Sequence, residues 1–383
     1  MSAEELNNKI MIIAGEASGD MHGAGLINSI KALRPDIQFF GMGGDKMISA
    51  GLNAQMNAKR MAFLGFVEVI RHLPFIIKVE NSLFGKLKEE KIKTLILIDY
   101  PGFNLRFARK AKKLGVKVFY YISPQVWAWG KGRVEKIKQL VDQMIVVFPF
   151  EEKFYKEHGI KAVFVGHPLI ERIDNYSFLS KEELYKKFGL EKGKEILLLL
   201  PGSRKHEIRK IFPAAVKSAV KIAEKFNMQL VVACSENLDE NILKRSYSGG
   251  GYRIIKGFTY ELMKYSKFGI IKSGTSTLEA GILSLPYIVI YSTNYITYFL
   301  GRMVVNIKNL AISNILLEEN VVDELIQDDL NEKNIVEKAE RILNDGAKYN
   351  LIKEKLSKLK ILLGTGKASE NAAKLIVDYV NEL

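Results

Sequence analysis

Short apolar runs alternate with amphipathic, helix-like stretches along almost the whole chain, and this alternation limits the possible folds more than any other feature. Strands separated by helices run parallel and are joined by right-handed crossovers. The sequence therefore predicts an α/β protein with two doubly wound, Rossmann-like sheets and ligands at the carboxyl ends of the strands. The predicted strands are 10–14, 38–41, 94–98, 117–122, 143–148, 195–200, 229–233, 252–256, 268–271 and 287–291.

The length of the chain, 383 residues, is too great for one ordinary core and suits two domains. The alternation pauses around 166–180, where His167-Pro168, Asn175 and Ser177 favour a linker. We predict one domain over 1–170 and a second over 171–345. Apolar residues at helical spacing predict helices in the tail, 346–383, and packing of this tail back on the first domain is one option.

Composition excludes several classes of protein. Hydrophobic residues make up 48% of the chain, but no apolar run is long enough for a transmembrane helix. The N-terminus lacks the pattern of a signal peptide. The single cysteine, Cys234, excludes an internal disulfide, fits a reducing cytoplasm and is predicted to be a buried small hydrophobe. The net charge of +14 favours phosphorylated metabolites or an anionic membrane, and nucleic acid ranks last because no nucleic-acid motif is present.

A strand–turn–helix pattern over 270–279 points to a nucleotide-bearing substrate. The turn at Ser273-Gly274 is followed by Thr275, Ser276 and Thr277, any of which is suited to cap the helix. A helix start presents backbone N–H groups and a positive dipole end to a phosphate. Glu279, one turn further on, is placed to accept hydrogen bonds from ribose hydroxyls. Many turns of this kind bind nothing, and that interpretation stays open.

Polar residues at three other strand ends are candidates for chemistry. Glu16, Ser18 and Asp20 offer acceptors in a loop with two glycines, although Asp20 or Ser18 as a helix cap explains the pattern equally well. Asp99 stands where α/β enzymes place a catalytic base, and a capping role is the alternative. Arg204 is suited to pair with a leaving diphosphate, and a salt bridge within its turn is the alternative.

Several site types find no support. The first loop is not G-x-G-x-x-G, so a dinucleotide cofactor is poorly supported, and 364–367 lacks the upstream glycine of a P-loop. Neither a D-x-D pair after a strand nor H-x-x-x-H spacing occurs, so a metal site is unsupported. A segment rich in large apolar residues, 63–78, fits either a core helix or a helix at a bilayer surface or acyl-chain pocket.

Taken together, these loops resemble those of the lipid-A-disaccharide synthases, nearly from end to end. The matching strings keep the family's order and spacing. They are Gly-Glu-Ala-Ser-Gly-Asp at 15–20, Leu-Gly-Phe-Val-Glu-Val at 64–69, Ile-Asp-Tyr-Pro-Gly-Phe-Asn at 98–104, Ser-Pro-Gln-Val-Trp-Ala-Trp at 123–129, Phe-Pro-Phe-Glu at 148–151, Val-Gly-His-Pro at 165–168, Leu-Pro-Gly-Ser-Arg at 200–204 and Ser-Gly-Thr at 273–275.

The resemblance implies a two-domain GT-B glycosyltransferase whose domains face each other across a cleft, an acceptor and lipid domain first and a UDP-sugar domain second. It implies an inverting reaction of UDP-2,3-diacylglucosamine with 2,3-diacylglucosamine 1-phosphate, which gives a β-1,6-linked disaccharide 1-phosphate and UDP. The enzyme would be cytoplasmic and bound peripherally to the anionic inner-membrane surface, with no cofactor and no metal. A homo-oligomer is left open.

The resemblance also assigns residues. Asp99 matches the essential carboxylate, and Glu16, Ser18 and Asp20 fall on the acceptor side. The positions that the family uses around the nucleotide and diphosphate are matched by Arg204, Glu279, Asn314 and Gln327. The strand–turn–helix pattern adds Ser273, Gly274, Thr275 and Ser276 to this expected site. The residues expected to contact membrane or acyl chains are Phe63, Leu64, Phe66, Val67, Val69, Ile70 and Phe75. One departure is Ser313, where the family usually has proline, and it weakens the placement of Asn314 and Gln327.

Other functions remain open from the sequence. A UDP-sugar epimerase or hydrolase of the same fold would have the same UDP-binding half of the protein and would need no lipid acceptor. A non-catalytic UDP-lipid binding protein would share both ligands without turnover. A dehydrogenase fits least, because the dinucleotide fingerprint is missing.

Overall fold

A computed structural model describes residues 8–61, 72–127, 131–236, 238–293 and 309–382. The chain divides into two compact units. The first consists of Met1–Arg172 together with Leu363–Leu383, and the second is Ile173–Leu362. The chain therefore returns to the first unit at residue 363, and the helices on either side of this point belong to different units.

The first unit is built on a seven-stranded parallel sheet with the order β3-β2-β1-β4-β5-β6-β7. Its central strands are buried on both faces, as in β4, where all five residues of Thr-Leu-Ile-Leu-Ile are buried, because helices cover both sides of such a sheet. The strands are β1 Lys9–Ala14, β2 Gln38–Gly43, β3 Leu52–Asn57, β4 Thr94–Ile98, β5 Lys117–Tyr121, β6 Gln143–Val146 and β7 Ala162–Phe164.

The described helices of this unit follow the strands. In chain order they are α1 Ala17–Leu33, α2 Asp45–Ser49, α3 Leu73–Glu89, α4 Pro101–Lys112, α5 Val134–Leu140, α6 Pro149–Glu157 and α7 Pro168–Asp174, of which the last two residues lie past the unit boundary. The last long helix of the chain, Ala368–Asn381, packs on α1, where Ser369 lies against Gly25. The first unit is thus closed by the C-terminal end of the chain.

The second unit is built on a six-stranded parallel sheet with the order β10-β9-β8-β11-β12-β13. Its strands are β8 Ile196–Leu200, β9 Gln229–Cys234, β10 Tyr252–Lys256, β11 Ser266–Lys272, β12 Tyr287–Tyr291 and β13 Glu324–Ile326. Its described helices are α8 Lys181–Phe188, α9 Lys205–Lys225, α10 Asn241–Ser246, α11 Thr259–Tyr265, α12 Thr275–Ile282, α13 Ile312–Leu316, α14 Glu332–Leu343 and α15 Gly346–Leu362, and Ala368–Asn381 is α16.

The predicted fold class is confirmed, and all ten predicted strands are present. Among the described residues, three further strands are present that the sequence pattern does not predict, β3, β7 and β13, and each lies at the edge of its sheet. An edge strand is covered on fewer sides and needs no continuous apolar run, so its sequence signal is weak. In β3, for example, the sequence Leu-Asn-Ala-Gln-Met-Asn has only one buried residue.

Three further sequence predictions can be compared with the described residues. Cys234 is buried at the end of β9, as predicted. Within the described part of the chain, none of the helices combines the length and apolarity needed to cross a bilayer. The segment predicted as a linker, 166–180, contains α7.

Candidate active site

The loop after β4 holds Asp99 in a strained backbone conformation. Asp99 and Tyr100 both have left-handed φ values, 45° and 48°, which residues with side chains adopt rarely. The carbonyl oxygen of Asp99 accepts hydrogen bonds from Tyr120 Oη at 2.5 Å and from Asn104 Nδ2 at 2.6 Å. These two donors, one on β5 and one on α4, fix the strained turn in place.

The carboxyl group of Asp99 is half-buried, and Asp99 is not the residue that caps the following helix, α4. Burial raises its pKa, and a hydrogen bond from the backbone of Tyr100 partly opposes that shift. The residue that caps α4 is Tyr100, without a side-chain cap bond. A carboxylate whose pKa is raised binds a proton more strongly, which suits general base catalysis.

The loop after β1 lies directly against the Asp99 loop. A methyl group added at Gly15 would lie 2.4 Å from a ring carbon of Tyr100, so only glycine allows this approach. Burial raises the pKa of Tyr100, and the nearby charge of Glu16 adds to the effect. Glu16, which caps α1, and Ser18, in the first turn of α1, are both exposed. The structure therefore brings Glu16 close to the Asp99 loop.

Asp20 is buried and caps a helix, but not the helix on which it lies. Its carboxylate accepts hydrogen bonds from the backbone N–H groups of Gly44 at 2.7 Å, Met47 at 3.0 Å and Lys46 at 3.2 Å, all at the start of α2. The capping interpretation thus holds for Asp20. Its role is to fix the loop after β2 at the same sheet edge.

A buried carboxylate that the sequence analysis did not single out lies in the same unit. Glu151, 1% exposed at the start of α6, accepts hydrogen bonds from Ser123 Oγ at 2.6 Å, Trp127 Nε1 at 3.1 Å and the backbone N–H of Phe148 at 3.2 Å. Burial raises its pKa to about 7. The only sequence signal was that 123–129 and 148–151 are strings shared with the resembled family.

In the second unit, Arg204 lies at the start of α9, just after β8. Its side chain is 60% exposed, and its Nη1 lies 3.8 Å from Glu207 Oε1. Glu207 is held more closely by Lys272 Nζ, at 2.8 Å. The salt bridge expected as the alternative exists, but the partner of Glu207 is mainly Lys272, and the Arg204 guanidinium remains accessible to a ligand.

The residue that caps α12 is not one of the three hydroxyl residues predicted for this role. The capping residue is Gly274, and none of the three hydroxyl side chains after it caps the helix. Instead, Thr277 Oγ1 donates to the carbonyl oxygen of Gly274 at 2.7 Å. Glycine leaves the approach to this helix start free of side-chain atoms. Gly274 and Thr275 are exposed, and Ser273 and Ser276 are half-buried.

Glu279 and Arg204 belong to neighbouring strand ends. Strands β8 and β11 pair in parallel, so the loops that follow them emerge at the same edge of the sheet. Glu279 is largely buried and accepts a hydrogen bond from Tyr260 Oη at 3.1 Å. The structure therefore places Arg204, the Ser273–Ser276 turn and Glu279 along one sheet edge.

Asn314 and Gln327 are held by internal hydrogen bonds. Asn314 is fully buried; its oxygen accepts from the backbone N–H groups of Val321 and Val322, and its nitrogen donates to the carbonyl oxygen of Val322 and to Glu324. Gln327 accepts from the backbone N–H of Thr293 at 2.8 Å and donates to the carbonyl oxygen of the same residue. The Gln327 amide therefore holds the loop after β12 at the carboxyl end of the sheet. The partners of Asn314 come before β13 or at its first residue, so its amide fixes the amino end of that strand.

A family model described as Lipid-A-disaccharide synthetase matches residues 10–380. The lipid-A-disaccharide synthase of Geobacter sulfurreducens is 38% identical over 382 residues, which cover 99% of each chain. The chain belongs to the lipid-A-disaccharide synthase family. As a member, it is a glycosyltransferase that makes the disaccharide of lipid A, and the resemblance seen in the sequence is confirmed.

Solved structures at low identity agree on the fold. The UDP-GlcNAc 2-epimerase from Neisseria meningitidis, bound to UDP-GlcNAc, matches with a TM-score of 0.62 and 13% identity over 98% of this chain and 100% of that chain. CalG4, the calicheamicin glycosyltransferase, also matches with a TM-score of 0.62 and 13% identity, over 98% of each chain. These likenesses show the two-domain GT-B fold of the lipid-A-disaccharide synthase family and nothing about substrates.

Most of the predicted acyl or membrane contacts of this family member lie outside the described residues: Phe63, Leu64, Phe66, Val67, Val69 and Ile70. Phe75, in the first turn of α3, is described and packs partly buried against the core of the first unit. Leu73 and Ile77 on the same helix are each 42% exposed. The described start of α3 thus presents both a core-facing ring and exposed aliphatic side chains.

Proposed function

We propose that the chain joins UDP-2,3-diacylglucosamine to 2,3-diacylglucosamine 1-phosphate, giving the β-1,6-linked disaccharide 1-phosphate and UDP with inversion at the anomeric carbon. The observation that carries this proposal is Asp99, a carboxylate of raised pKa held in a strained loop at the carboxyl end of β4. A member of the lipid-A-disaccharide synthase family, matched over residues 10–380, with a base at this position is equipped to activate a sugar hydroxyl.

In the proposed step, Asp99 accepts the proton of the acceptor's 6-hydroxyl group as its oxygen attacks the anomeric carbon of the donor. The new carbon–oxygen bond forms on the face opposite the diphosphate. The bond between the anomeric carbon and the diphosphate breaks, and its electron pair leaves with UDP. Because attack and departure occur on opposite faces, one such displacement inverts the configuration.

The departing UDP is assigned to the second unit. Arg204 supplies an exposed guanidinium that pairs with two phosphate oxygens, and the turn from Ser273 to Ser276 supplies the positive end of α12. Glu279 is assigned to the ribose hydroxyls. Such groups stabilise the charge that develops on the leaving diphosphate. Gln327 is assigned an indirect role, since its amide holds the loop after β12 beside the nucleotide. Asn314 is assigned to the nucleotide site by its match to the family alone.

The acceptor is assigned to the first unit, beside Glu16 and Ser18, with Asp20 holding the neighbouring loop. We further propose that the enzyme binds the anionic inner face of the cytoplasmic membrane through 63–77. The net charge of +14 and the exposed Leu73 and Ile77 on α3 support this assignment.

The direct test is mass analysis of the products formed from synthetic diacylated donor and acceptor. A β-1,6-linked disaccharide 1-phosphate and one equivalent of UDP are expected. The likeness to an epimerase fold makes UDP-sugar epimerisation or hydrolysis the second candidate. UDP release at the same rate without acceptor, or an epimerised donor, would establish that alternative and overturn the transferase proposal.

A further inference from the structure

Four aromatic rings form a continuous row at the carboxyl edge of the first sheet. Trp127 meets Phe150 edge to face with ring centroids 4.9 Å apart, Phe150 stacks with Phe148 at 5.6 Å, and Phe148 lies 4.9 Å from His167. These residues follow β5, β6 and β7 in turn. The row ends in Trp127, which is only half-buried.

The orientation of Trp127 is fixed from two sides. Phe150 contacts the ring, and Glu151 accepts the indole N–H at 3.1 Å. The same carboxylate oxygen of Glu151 accepts the hydroxyl of Ser123 at 2.6 Å, and the other oxygen accepts the Phe148 backbone N–H. One buried carboxylate therefore ties the loop after β5 to the start of α6, and it holds the indole N–H in place.

This loop is directly connected to the proposed base. Tyr120, whose hydroxyl holds the Asp99 carbonyl, lies on β5 three residues before Ser123. Tyr155 on α6 donates to the carbonyl oxygen of Pro124 at 3.4 Å, which adds a second tie between α6 and the loop. The half-exposed indole thus belongs to the same sheet edge as Asp99, one strand further along.

We propose that the indole of Trp127 contacts the sugar ring of the acylated glucosamine acceptor, and that Glu151 is the positioning residue that sets the indole in place. A pyranose ring has an apolar face of C–H groups, which packs against an aromatic ring, while its hydroxyls remain free for polar partners. This inference rests on the proposed function, since it identifies where the acceptor of that reaction lies.

The titratable groups that surround Glu151 keep the same charge near neutral pH, so Glu151 is the member of this cluster that changes charge there. Tyr155 on α6 and Tyr120 on β5 stay protonated because burial raises the pKa of each. Burial lowers the pKa of His167, whose ring contacts Phe148, to about 3, so this histidine stays neutral. Loss of the Glu151 proton alters the charge beside the indole N–H, and the emission of Trp127 is expected to report it.

The first test uses fluorescence. The chain has two tryptophans, so in a Trp129→Phe background Trp127 is the only indole emitter. Its emission is expected to titrate with a midpoint near pH 7 and to lose this transition when Glu151→Gln is added. Glu80→Gln is the matched control, because Glu80 is a buried carboxylate of the same unit, paired with Arg106 and Lys110, and should leave the transition unchanged.

The second test adds ligands. Synthetic 2,3-diacylglucosamine 1-phosphate is expected to change the Trp127 emission saturably, whereas UDP alone leaves it unchanged. In steady-state kinetics, Trp127→Ala is expected to raise the KM for the acceptor by about tenfold, with Trp127→Phe between it and wild type. The KM for the donor should stay the same, and Glu151→Gln should raise the acceptor KM without a change in UDP affinity.

The outcomes separate this inference from the proposed function. Product formation without any response of Trp127 to the acceptor would overturn the Trp127 contact and leave the transferase reaction standing. An acceptor KM for Glu151→Gln equal to that of wild type would overturn the positioning role. If no disaccharide forms but the acceptor still changes Trp127 emission, the reaction is wrong and the acceptor contact is supported.

Discussion

Tyr120 Oη lies 2.5 Å from the backbone carbonyl oxygen of Asp99, so a side chain on β5 holds the strained turn that ends β4. Removing this hydroxyl with Tyr120→Phe leaves the ring packing intact but deletes one of two donors to that carbonyl. The free energy of unfolding is expected to fall by about 1 kcal/mol, the usual net value of one hydrogen bond.

Tyr120→Phe is expected to raise the activation free energy calculated from kcat by more than it lowers the free energy of unfolding. The reason is that a small displacement of a base raises the energy of the transition state. Denaturant unfolding and acceptor-saturated kinetics measure the two quantities on one sample. Tyr185→Phe, which removes a Tyr hydroxyl bonded to the Lys194 carbonyl in the second unit, is the matched control. Equal losses of kcat in the two variants would contradict the positioning role of Tyr120.

Replacing Asp99 with Asn removes the proposed base while keeping the size of the side chain. Turnover is expected to fall by on the order of 10²–10⁴, the usual contribution of general base catalysis. Affinity for UDP, measured by calorimetry, should be unchanged because the assigned UDP residues lie in the second unit. Since burial raises the pKa of Asp99, kcat/KM of wild type should fall with acid at a pH above that of an ordinary aspartate. Undiminished turnover of Asp99→Asn would refute the mechanism.

Arg204→Ala removes the exposed guanidinium at the start of α9. Loss of a charge-assisted bidentate contact to phosphate is expected to weaken UDP binding by about 2 kcal/mol. Arg204→Lys should recover only part of the lost UDP affinity, because a lysine cannot form the planar, bidentate contact. Arg209→Ala, an exposed arginine on the same helix, is the control for net charge. Similar losses of UDP affinity for Arg204→Ala and Arg209→Ala would show a general charge effect instead of a contact.

The fold could be predicted from the sequence because every central strand has an apolar run. The family could be predicted because whole strings of residues match those of its members. The roles of single polar side chains were harder to predict. Asp20 bonds to Gly44 and Glu151 bonds to Ser123, so their partners lie 24 and 28 residues away in the chain. A polar residue in a loop has the same sequence pattern whether it faces a ligand or a buried N–H group, as Asn314 illustrates with its four internal bonds.

Glu151 predicts an unusual dependence of stability on pH. Burial raises its pKa from 4.5 to about 7, so the folded state favours the protonated carboxyl. As the pH rises from 4.5 towards 7, the unfolded chain releases this proton before the folded chain does, and stability is lost. Relative to the Glu151→Gln variant, the free energy of unfolding of wild type is expected to fall by about 3 kcal/mol between pH 4.5 and 8. Urea unfolding at several pH values measures the difference, and a constant difference would show that Glu151 does not titrate in this range.

The start of α3 is expected to contribute to membrane binding. Leu73 and Ile77 are each 42% exposed there, and the positive net charge favours anionic lipid. Replacing both with Ser removes two exposed aliphatic side chains, each worth about 1 kcal/mol if it enters the lipid interface. The double variant should bind vesicles of anionic phospholipid about 30-fold more weakly in co-sedimentation, since each factor of ten corresponds to about 1.4 kcal/mol. Ile48→Ser, at a residue 41% exposed on α2, is the control. If the double variant and Ile48→Ser bind these vesicles as tightly as wild type, the start of α3 does not contact the membrane.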